Sequence, residues 1–324
     1  MSSSFASRSG LSESSWVDPA NPGGALAADR GNRAISAPYE PGSVEKVLTS
    51  AALTDSGTAT PDTPVKVPAR LRSGPLTIKD HFYHGELHYR MRGVIAESSN
   101  IGTALLARQL AKQQLHDYLA NFGLGSLTGI ELPGESRGIL PAGDMPDMQR
   151  DQIAFGQALS VTGIQEAAAI AGIVNGGIYN PPTVIKQVTD GNGNPIPRAK
   201  AEPRRIVSPA SSAMVRDLMQ AVIDSVNGQR NLKLNAYTTG GKTGTAQRAD
   251  PTCHCYRGYV TSYVGFAPLD DPQLLTYVVL SNPRGADTGT VAAGPAYKDI
   301  MEFALPRYSV APNAKYHKPL PTEW

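Results

Sequence analysis

Gly240-Gly241-Lys242-Thr243-Gly244-Thr245-Ala246 admits two readings, and the choice between them decides the fold. Gly-Lys-Thr ends a phosphate-binding loop, in which a lysine reaches the phosphates. That pattern needs a glycine five positions before Gly241, where this chain has Ala236. It also needs an apolar strand just upstream, and residues 233–239 make a poor one. The phosphate reading is therefore rejected. The remaining reading is a strand edge that offers a cation, two hydroxyls and backbone amides to an anionic ligand. Gly244 would let that ligand approach the backbone closely. A plain glycine-rich turn into a strand uses the same residues and explains nothing more.

The segments on either side decide what this strand belongs to. Residues 259–266 and 274–280 are rich in β-formers and are separated by Asp270-Asp271-Pro272. Residues 294–304 read as a closing helix. Upstream, residues 101–122 carry Leu105, Leu106, Leu110, Leu115 and Leu119 near helical spacing, and Gly123 stops them. Further helices are expected over 157–174 and 209–226, each ending at an Asn-Gly pair. Between them, residues 184–189 and the turn Asp190-Gly-Asn-Gly-Asn-Pro195 read as strand and hairpin. Residues 64–68 suggest a short edge strand within an irregular stretch over 55–80. Helices in the middle and strands late imply an α+β fold with a largely antiparallel sheet.

Composition narrows the function. The 324 residues carry 30 Lys+Arg and 28 Asp+Glu, a net charge of +2 with no basic block, so nucleic acid is not an expected partner. A chain this long buries about 75% of its unfolded surface and needs no staple. Its two cysteines exclude a disulfide framework. No apolar run reaches 18 residues, and the polar, Ser-rich start does not resemble a signal peptide. Cys253-His254-Cys255 would need a distant fourth ligand to hold zinc, and a bridge between positions i and i+2 is usually strained. These residues are expected to form a loop with two thiols, and no metal or cofactor is called for. Tyr256 and Tyr259 are read as packing residues.

Among the nucleophiles, Ser43 is the one serine followed three positions later by lysine, Lys46. On a helical turn the two lie on one face. A lysine can take the serine proton only when neutral. Its pKa must fall by about 3 units, which costs about 4 kcal/mol and requires burial and a second nearby cation. Alone, the pair reads equally as a capping serine and a surface lysine. Ser98-Ser99-Asn100 alone reads as an N-cap for the helix that follows. Ser225-Val226-Asn227 shares its spacing and is assigned to capping at a helix end.

The combination carries more. Ser-x-x-Lys, Ser-x-Asn and Lys-Thr-Gly in this order are the set found in penicillin-binding proteins and class A β-lactamases. Tyr39-Glu-Pro-Gly-Ser43, Phe155-Gly-Gln-Ala-Leu-Ser-Val-Thr162, Asn175-Gly-Gly177, Lys242-Thr-Gly-Thr-Ala246 and Gly265-Phe-Ala-Pro268 resemble class B penicillin-binding proteins. The likeness runs from about residue 30 to about 305, and is to the transpeptidase domain of a division-type, actinobacterial enzyme.

That resemblance implies the penicillin-recognising serine transpeptidase fold: a mostly antiparallel sheet covered by helices, beside an all-helical subdomain. It implies a flexible tail over 1–30, a catalytic domain over 31–306 and a C-terminal tail over 307–324. Ser43 would attack the D-Ala-D-Ala bond of a peptidoglycan stem peptide, and an acceptor amine would then take the acyl group. Lys46 would be the base, Ser98 the proton relay, and Asn100 the holder of Lys46 and the substrate amide. Lys242 would supply positive potential, and Thr243 and Thr245, flanking Gly244, would bind the terminal carboxylate. The backbone N–H groups of Ser43 and Thr245 would form the oxyanion hole. β-Lactams would acylate Ser43, cell-division proteins would be partners, and the site of action would be the outer face of the bacterial membrane, through an anchor not found in this sequence.

Two departures stand out. Val44-Glu45 replaces the Thr-Phe of many relatives, and Glu45 is expected to favour the helix start and to point away from Lys46. The Asp-Pro-x-x-Gly strand pair usual upstream of the serine is not found, so part of the sheet is expected to be missing or replaced. Alternatives are a serine β-lactamase or a non-catalytic β-lactam-binding homologue. The former needs a water-activating Glu-x-x-x-Asn element, and Glu131 to Glu135 is followed by Ser136-Arg137-Gly138 instead.

Overall fold

A computed structural model describes residues 17–18, 20–25, 30–197, 201–225, 229–250, 252–253, 255–285, 288–315 and 318–324. Most of the expected N-terminal tail, residues 1–16, lies outside these, as do Val226, Asn227, Gly228 and His254. In chain order the elements are α1 (Arg33–Ser36), α2 (Lys46–Asp55), β1 (Pro64–Val67), β2 (Leu71–Ser73), β3 (Leu76–Ile78), β4 (Leu87–Arg90), α3 (Met91–Ala96), α4 (Asn100–Ala107) and α5 (Lys112–Asn121). They continue with α6 (Asp147–Ala154), α7 (Gly163–Val174), β5 (Ile178–Tyr179), β6 (Arg204–Arg205), α8 (Pro209–Asp224), β7 (Gly240–Asp250), β8 (Cys255–Ala267), β9 (Leu274–Ser281), α9 (Gly289–Ala292) and α10 (Gly294–Arg307).

The late strands pair as expected, in an antiparallel sheet of order β7-β8-β9 that leaves β7 on the edge. Successive side chains of a strand point to opposite faces, and both faces are buried here. Val264, Phe266 and Tyr277 pack into the large helical core, whereas Tyr263 and Ala267 meet Tyr297, Met301 and Leu305 of α10. α2 runs through the middle of the molecule, with every residue from Lys46 to Thr54 buried. A helix shielded on all sides is a core helix. α8 lies against it, started by Ser208, whose hydroxyl accepts from Ser211 N–H, and by a proline in its first turn.

Two helix boundaries differ from the expectation. The single helix over 101–122 is two, α4 and α5. The leucine stripe carries the reason: the step from Leu110 to Leu115 is one residue too long for a continuous face. The break seats Leu110 in the core and lets Arg108 reach the buried Asp151 carboxylate at 2.6 Å. The helix expected from 157 begins at Gly163, because Thr162 and Gln165 form a reciprocal capping box. Before it Ala158 takes a left-handed φ of +61°, and the next residues pair with other segments, Val161 bridged to Tyr39 and Ser160 to Ile139.

Residues 64–67 form the expected edge strand β1, paired with β4. Residues 184–189 do not form a strand. The turn at Asp190 closes with a single bridge, Thr189 to Pro195, and Val184 remains 46% exposed with no face to bury against. Cys253 and Cys255 are joined by a disulfide rather than standing as two thiols, because the turn of the β7–β8 hairpin brings their Cα atoms to 5.2 Å, within bonding range. Beyond α10 the chain returns to β4, where Arg90 N–H donates to Thr322 O and Glu323 bridges Tyr89. No helix of the described residues is long and apolar enough to cross a membrane.

Candidate active site

Ser43 sits on a 3₁₀ turn, Gly42–Glu45, that runs directly into α2. The turn is pressed against β7. Gly42 has a left-handed φ of +58°, and a Cβ there would stand 2.8 Å from Thr245 O. Its N–H donates to Gly156 O at 2.9 Å. Gly244 answers from the strand: a Cβ would stand 2.3 Å from Ser262 Oγ and 2.8 Å from Pro41 O. The need for glycine at 244 therefore comes from the nucleophile turn and β8, not from ligand approach. The geometry sets Gly42, just before Ser43, against the backbone of Thr245 at the edge of the sheet.

Ser98-Ser99-Asn100 occupies the joint between α3 and α4. Ser98 takes a left-handed φ of +58°. Its N–H donates to Ile95 O and that of Ser99 to Val94 O, the double closure that ends a helix and usually falls to glycine. Such a backbone position costs of order 1–3 kcal/mol and is found where structure over-determines it. Ser99 is the N-cap of α4, its hydroxyl accepting from Gly102 N–H at 2.8 Å. The capping reading thus holds for Ser99, and it turns Ser98 and Asn100 toward Lys46. At the other motif of the same spacing, Ser225 caps the end of α8.

Lys46 and Lys242 are both fully buried and converge on Ser98. Lys46 Nζ donates to Ser98 O at 2.5 Å, Asn100 Oδ1 at 2.8 Å and Ser98 Oγ at 3.2 Å. Lys242 Nζ donates to Ser98 Oγ at 2.9 Å and Thr243 O at 3.3 Å. Burial holds Lys46 well below the usual lysine range, the Lys242 charge lowers it further, and Asp80 partly opposes both. Burial also pushes Lys242 down to about 7, with Glu97 opposing. Loss of solvation plus a second cation is the pair of causes that a neutral lysine base requires. Ser43 is partly exposed, and its hydroxyl donates no hydrogen bond among the described residues. Such bonds often tighten only once a substrate is bound.

Thr243 and Thr245 lie farther out on β7, Thr245 exposed. Thr243 Oγ1 accepts from Gln229 Nε2 at 3.5 Å, and Thr245 Oγ1 accepts from Gly289 N–H at 3.3 Å. Each hydroxyl proton is left to donate to an anion. An edge strand of this kind can take an extended peptide as a further strand.

Asp80 was missed by sequence reasoning. Its side chain is fully buried behind the Ser98 joint. It accepts from Ser99 Oγ at 2.7 Å, Ile101 N–H at 3.0 Å and His84 Nε2 at 3.1 Å. Lys79 O accepts from Asn100 Nδ2 at 3.1 Å, so residues 79 and 80 together clamp the start of α4. No spacing rule links an aspartate to a motif nineteen residues on. Asp80→Ala should destabilise the protein by about 2–6 kcal/mol, since two buried donors lose their acceptor, read from the urea midpoint. Asp80→Asn, which keeps one acceptor oxygen, should recover part of that loss. An unchanged midpoint in Asp80→Ala would show that the clamp is dispensable.

Comparison with known proteins bears on the family. The family profile described as penicillin binding protein transpeptidase domain matches residues 10–302. The chain is 34% identical over 296 residues to penicillin-binding protein PbpB of Mycolicibacterium smegmatis, a match that covers 87% of this chain and 46% of that protein. It is 34% identical over 308 residues to stage V sporulation protein D of Bacillus subtilis, covering 87% and 44%. Penicillin binding protein 3 from Mycobacterium tuberculosis, complexed with aztreonam, superposes with a TM-score of 0.85 at 31% identity, covering 95% of this chain and 69% of that one. The chain spans less than half the length of these two curated relatives.

Proposed function

Because the chain belongs to the penicillin-binding-protein transpeptidase family, we propose that it is a serine D,D-transpeptidase that cross-links peptidoglycan stem peptides through an acyl-enzyme on Ser43. The observation that carries this reading is the convergence of Lys46 and Lys242 on Ser98, with Asn100 Oδ1 accepting from Lys46 and Ser43 on the turn that Lys46 ends. Neutral Lys46 takes the Ser43 proton as Oγ bonds to the carbonyl carbon between the two D-alanines. The oxyanion is held by the N–H groups of Ser43 and Thr245. Each such donor contributes about 10²–10³ in rate. The C–N bond then breaks, and Ser98 passes a proton to the leaving nitrogen, so D-Ala departs as an amine. An acceptor amine attacks the ester next, and Ser43 regains its proton. Lys242, Thr243 and Thr245 bind the terminal carboxylate.

In this reading residues 31–306 form the catalytic unit, the substrate lies outside the cytoplasm, and division proteins are partners of the full-length protein. A β-lactam mimics the donor and leaves Ser43 acylated. The hydrolase alternative has little support here. Glu135 is tied up by Thr128 N–H and Gly129 N–H, and Glu131 by Thr183 Oγ1 and Val184 N–H.

An intact-mass time course with benzylpenicillin tests the reading. One stable adduct per chain is expected. Loss of the adduct within minutes would point to a β-lactamase. Stable acylation without cross-linking of a lipid-linked stem peptide would point to a β-lactam sensor.

A further inference from the structure

The chain leaves α6 through a tight reversal. Gly156 and Ala158 both take a left-handed backbone there, at φ +87° and +61°. Glycine adopts that region freely. A residue with a Cβ seldom does, and where it does its surroundings hold it in place. At 156 the glycine is required, because a Cβ would collide with Gly42 O. At 158 the chain carries a methyl instead, packed against the large core. The strain at Ala158 therefore needs a partner from elsewhere.

Glu40 is that partner. Its Oε1 accepts from Ala158 N–H at 2.9 Å. A backbone amide bonded to a carboxylate is held more strongly than one bonded to a neutral acceptor. The Tyr256 hydroxyl of β8 reaches the same oxygen at 3.4 Å. Glu40 has no part in the chemistry above, yet it stands three residues before Ser43. Pro41, with φ −69°, makes the link between them stiff.

The bond completes a seam between residues 39–42 and 156–161. Tyr39 and Val161 exchange both backbone N–H···O bonds at 2.9 Å, and Gly42 N–H donates to Gly156 O at 2.9 Å. On its far side the second segment is fixed by Ser160 and Ile139, which exchange another pair. Of these contacts the Glu40–Ala158 bond alone uses a side chain, and it falls on the strained residue. The nucleophile turn thus rests on a segment whose shape depends on Ala158 staying left-handed.

We propose that Glu40 is a positioning residue for the acylation of Ser43, holding Ala158 left-handed so that Gly156 O stays beneath Gly42 and the nucleophile turn stays against β7; this rests on the reading of Ser43 as the nucleophile. Without the acceptor, Ala158 relaxes to a negative φ and the peptide units of 156–158 turn. Gly42 N–H then loses Gly156 O. A Cβ on Gly42 would stand 2.8 Å from Thr245 O, so a shift of Gly42 changes the spacing between Ser43 and Thr245. Two simpler roles give different results. A bond that only fastened the chain would change stability and leave the acylation of folded molecules alone. A carboxylate acting through the β7–β8 hairpin would need the Tyr256 hydroxyl.

The test is a double-mutant cycle. Glu40→Ala removes the acceptor, and Ala158→Gly removes the need for it. Acylation by benzylpenicillin is followed with the acylation step separated from the binding step, and the melting temperature of each chain is measured. Glu40→Ala should slow the acylation step on the order of 10²-fold, as a misplacement of about 1 Å does, with the binding step little changed. Ala158→Gly alone should acylate at the unmodified rate. So should Tyr256→Phe, which keeps the Ala158 bond, and Glu40→Gln, which keeps an acceptor oxygen. In the double variant Glu40→Ala/Ala158→Gly, most of the lost rate and of the lost melting temperature should return. A double variant as slow as Glu40→Ala would overturn the proposal. So would a full loss of rate in Tyr256→Phe, or a Glu40→Ala chain that melts early and acylates normally. If Glu40→Ala does not fold, the double variant should, and its failure to fold would overturn the proposal equally. An unmodified chain that takes no adduct would overturn the reading of Ser43 and with it the positioning role, while recovery of the melting temperature in the cycle would still show that Glu40 holds Ala158.

Discussion

Ser43→Ala should carry no covalent benzylpenicillin adduct, and its acylation rate should fall on the order of 10⁶-fold, as when a catalytic serine is removed elsewhere. The competing nucleophiles are few. Ser98 Oγ already receives Nζ of both lysines, and Thr245 Oγ1 receives Gly289 N–H. Among the described residues only Ser43 is at once partly open to solvent, at the head of the core helix, and one turn from a buried lysine. Its hydroxyl donates no bond among the described residues, so stability should stay within about 0.5 kcal/mol of the unmodified chain. That separation makes the test clean, because a dead variant with an unchanged melting curve has lost chemistry and not structure. An adduct that persists in Ser43→Ala and maps to Ser98 would reverse the roles of nucleophile and relay.

What the sequence made legible was local or combinatorial. β8, β9 and α8 follow from β-former runs, a capping serine and a proline, signals contained within each segment. The cleft was legible because three short motifs in one order carry joint information that none carries alone. The errors arise where a distant partner decides. Residues 157–162 look helical by composition, yet Val161 is taken by Tyr39, more than a hundred positions away. The leucine stripe marked its break only by the five-residue step from Leu110 to Leu115, a slight local signal beside the pairing of Arg108 with Asp151 on another helix. Asp80 has meaning only once β3 returns the chain behind Ser99. Glu45 reads as a carboxylate favoured by the helix start, yet it is fully buried with neither carboxyl oxygen hydrogen-bonded, which no local pattern reveals. The cysteines read as thiols because hairpin geometry, not spacing, brought them together.

The second large effect concerns the base. Lys46→Met keeps the length and the burial of the side chain but cannot accept a proton. Its acylation rate at neutral pH should fall about 10²–10⁴-fold, the usual contribution of a positioned base. The protein should also lose stability, because Ser98 O and Asn100 Oδ1 lose their buried donor, at about 1–3 kcal/mol for each acceptor left unpaired. Asn100 should keep its place through Lys79 O. The pH profile separates a base from a prop. Burial and Lys242 hold Lys46 well below the ordinary lysine range, so in the unmodified chain the rate should climb with pH as Lys46 sheds its proton, far below pH 10. That climb should vanish in Lys46→Met. Lys242 is the rival, since it reaches the same Ser98 hydroxyl and is itself pushed down to about 7. If the climb survives in Lys46→Met and disappears in Lys242→Met, the proton leaves Ser43 through Ser98 to Lys242. In that case Lys46 is the cation that keeps its neighbour neutral.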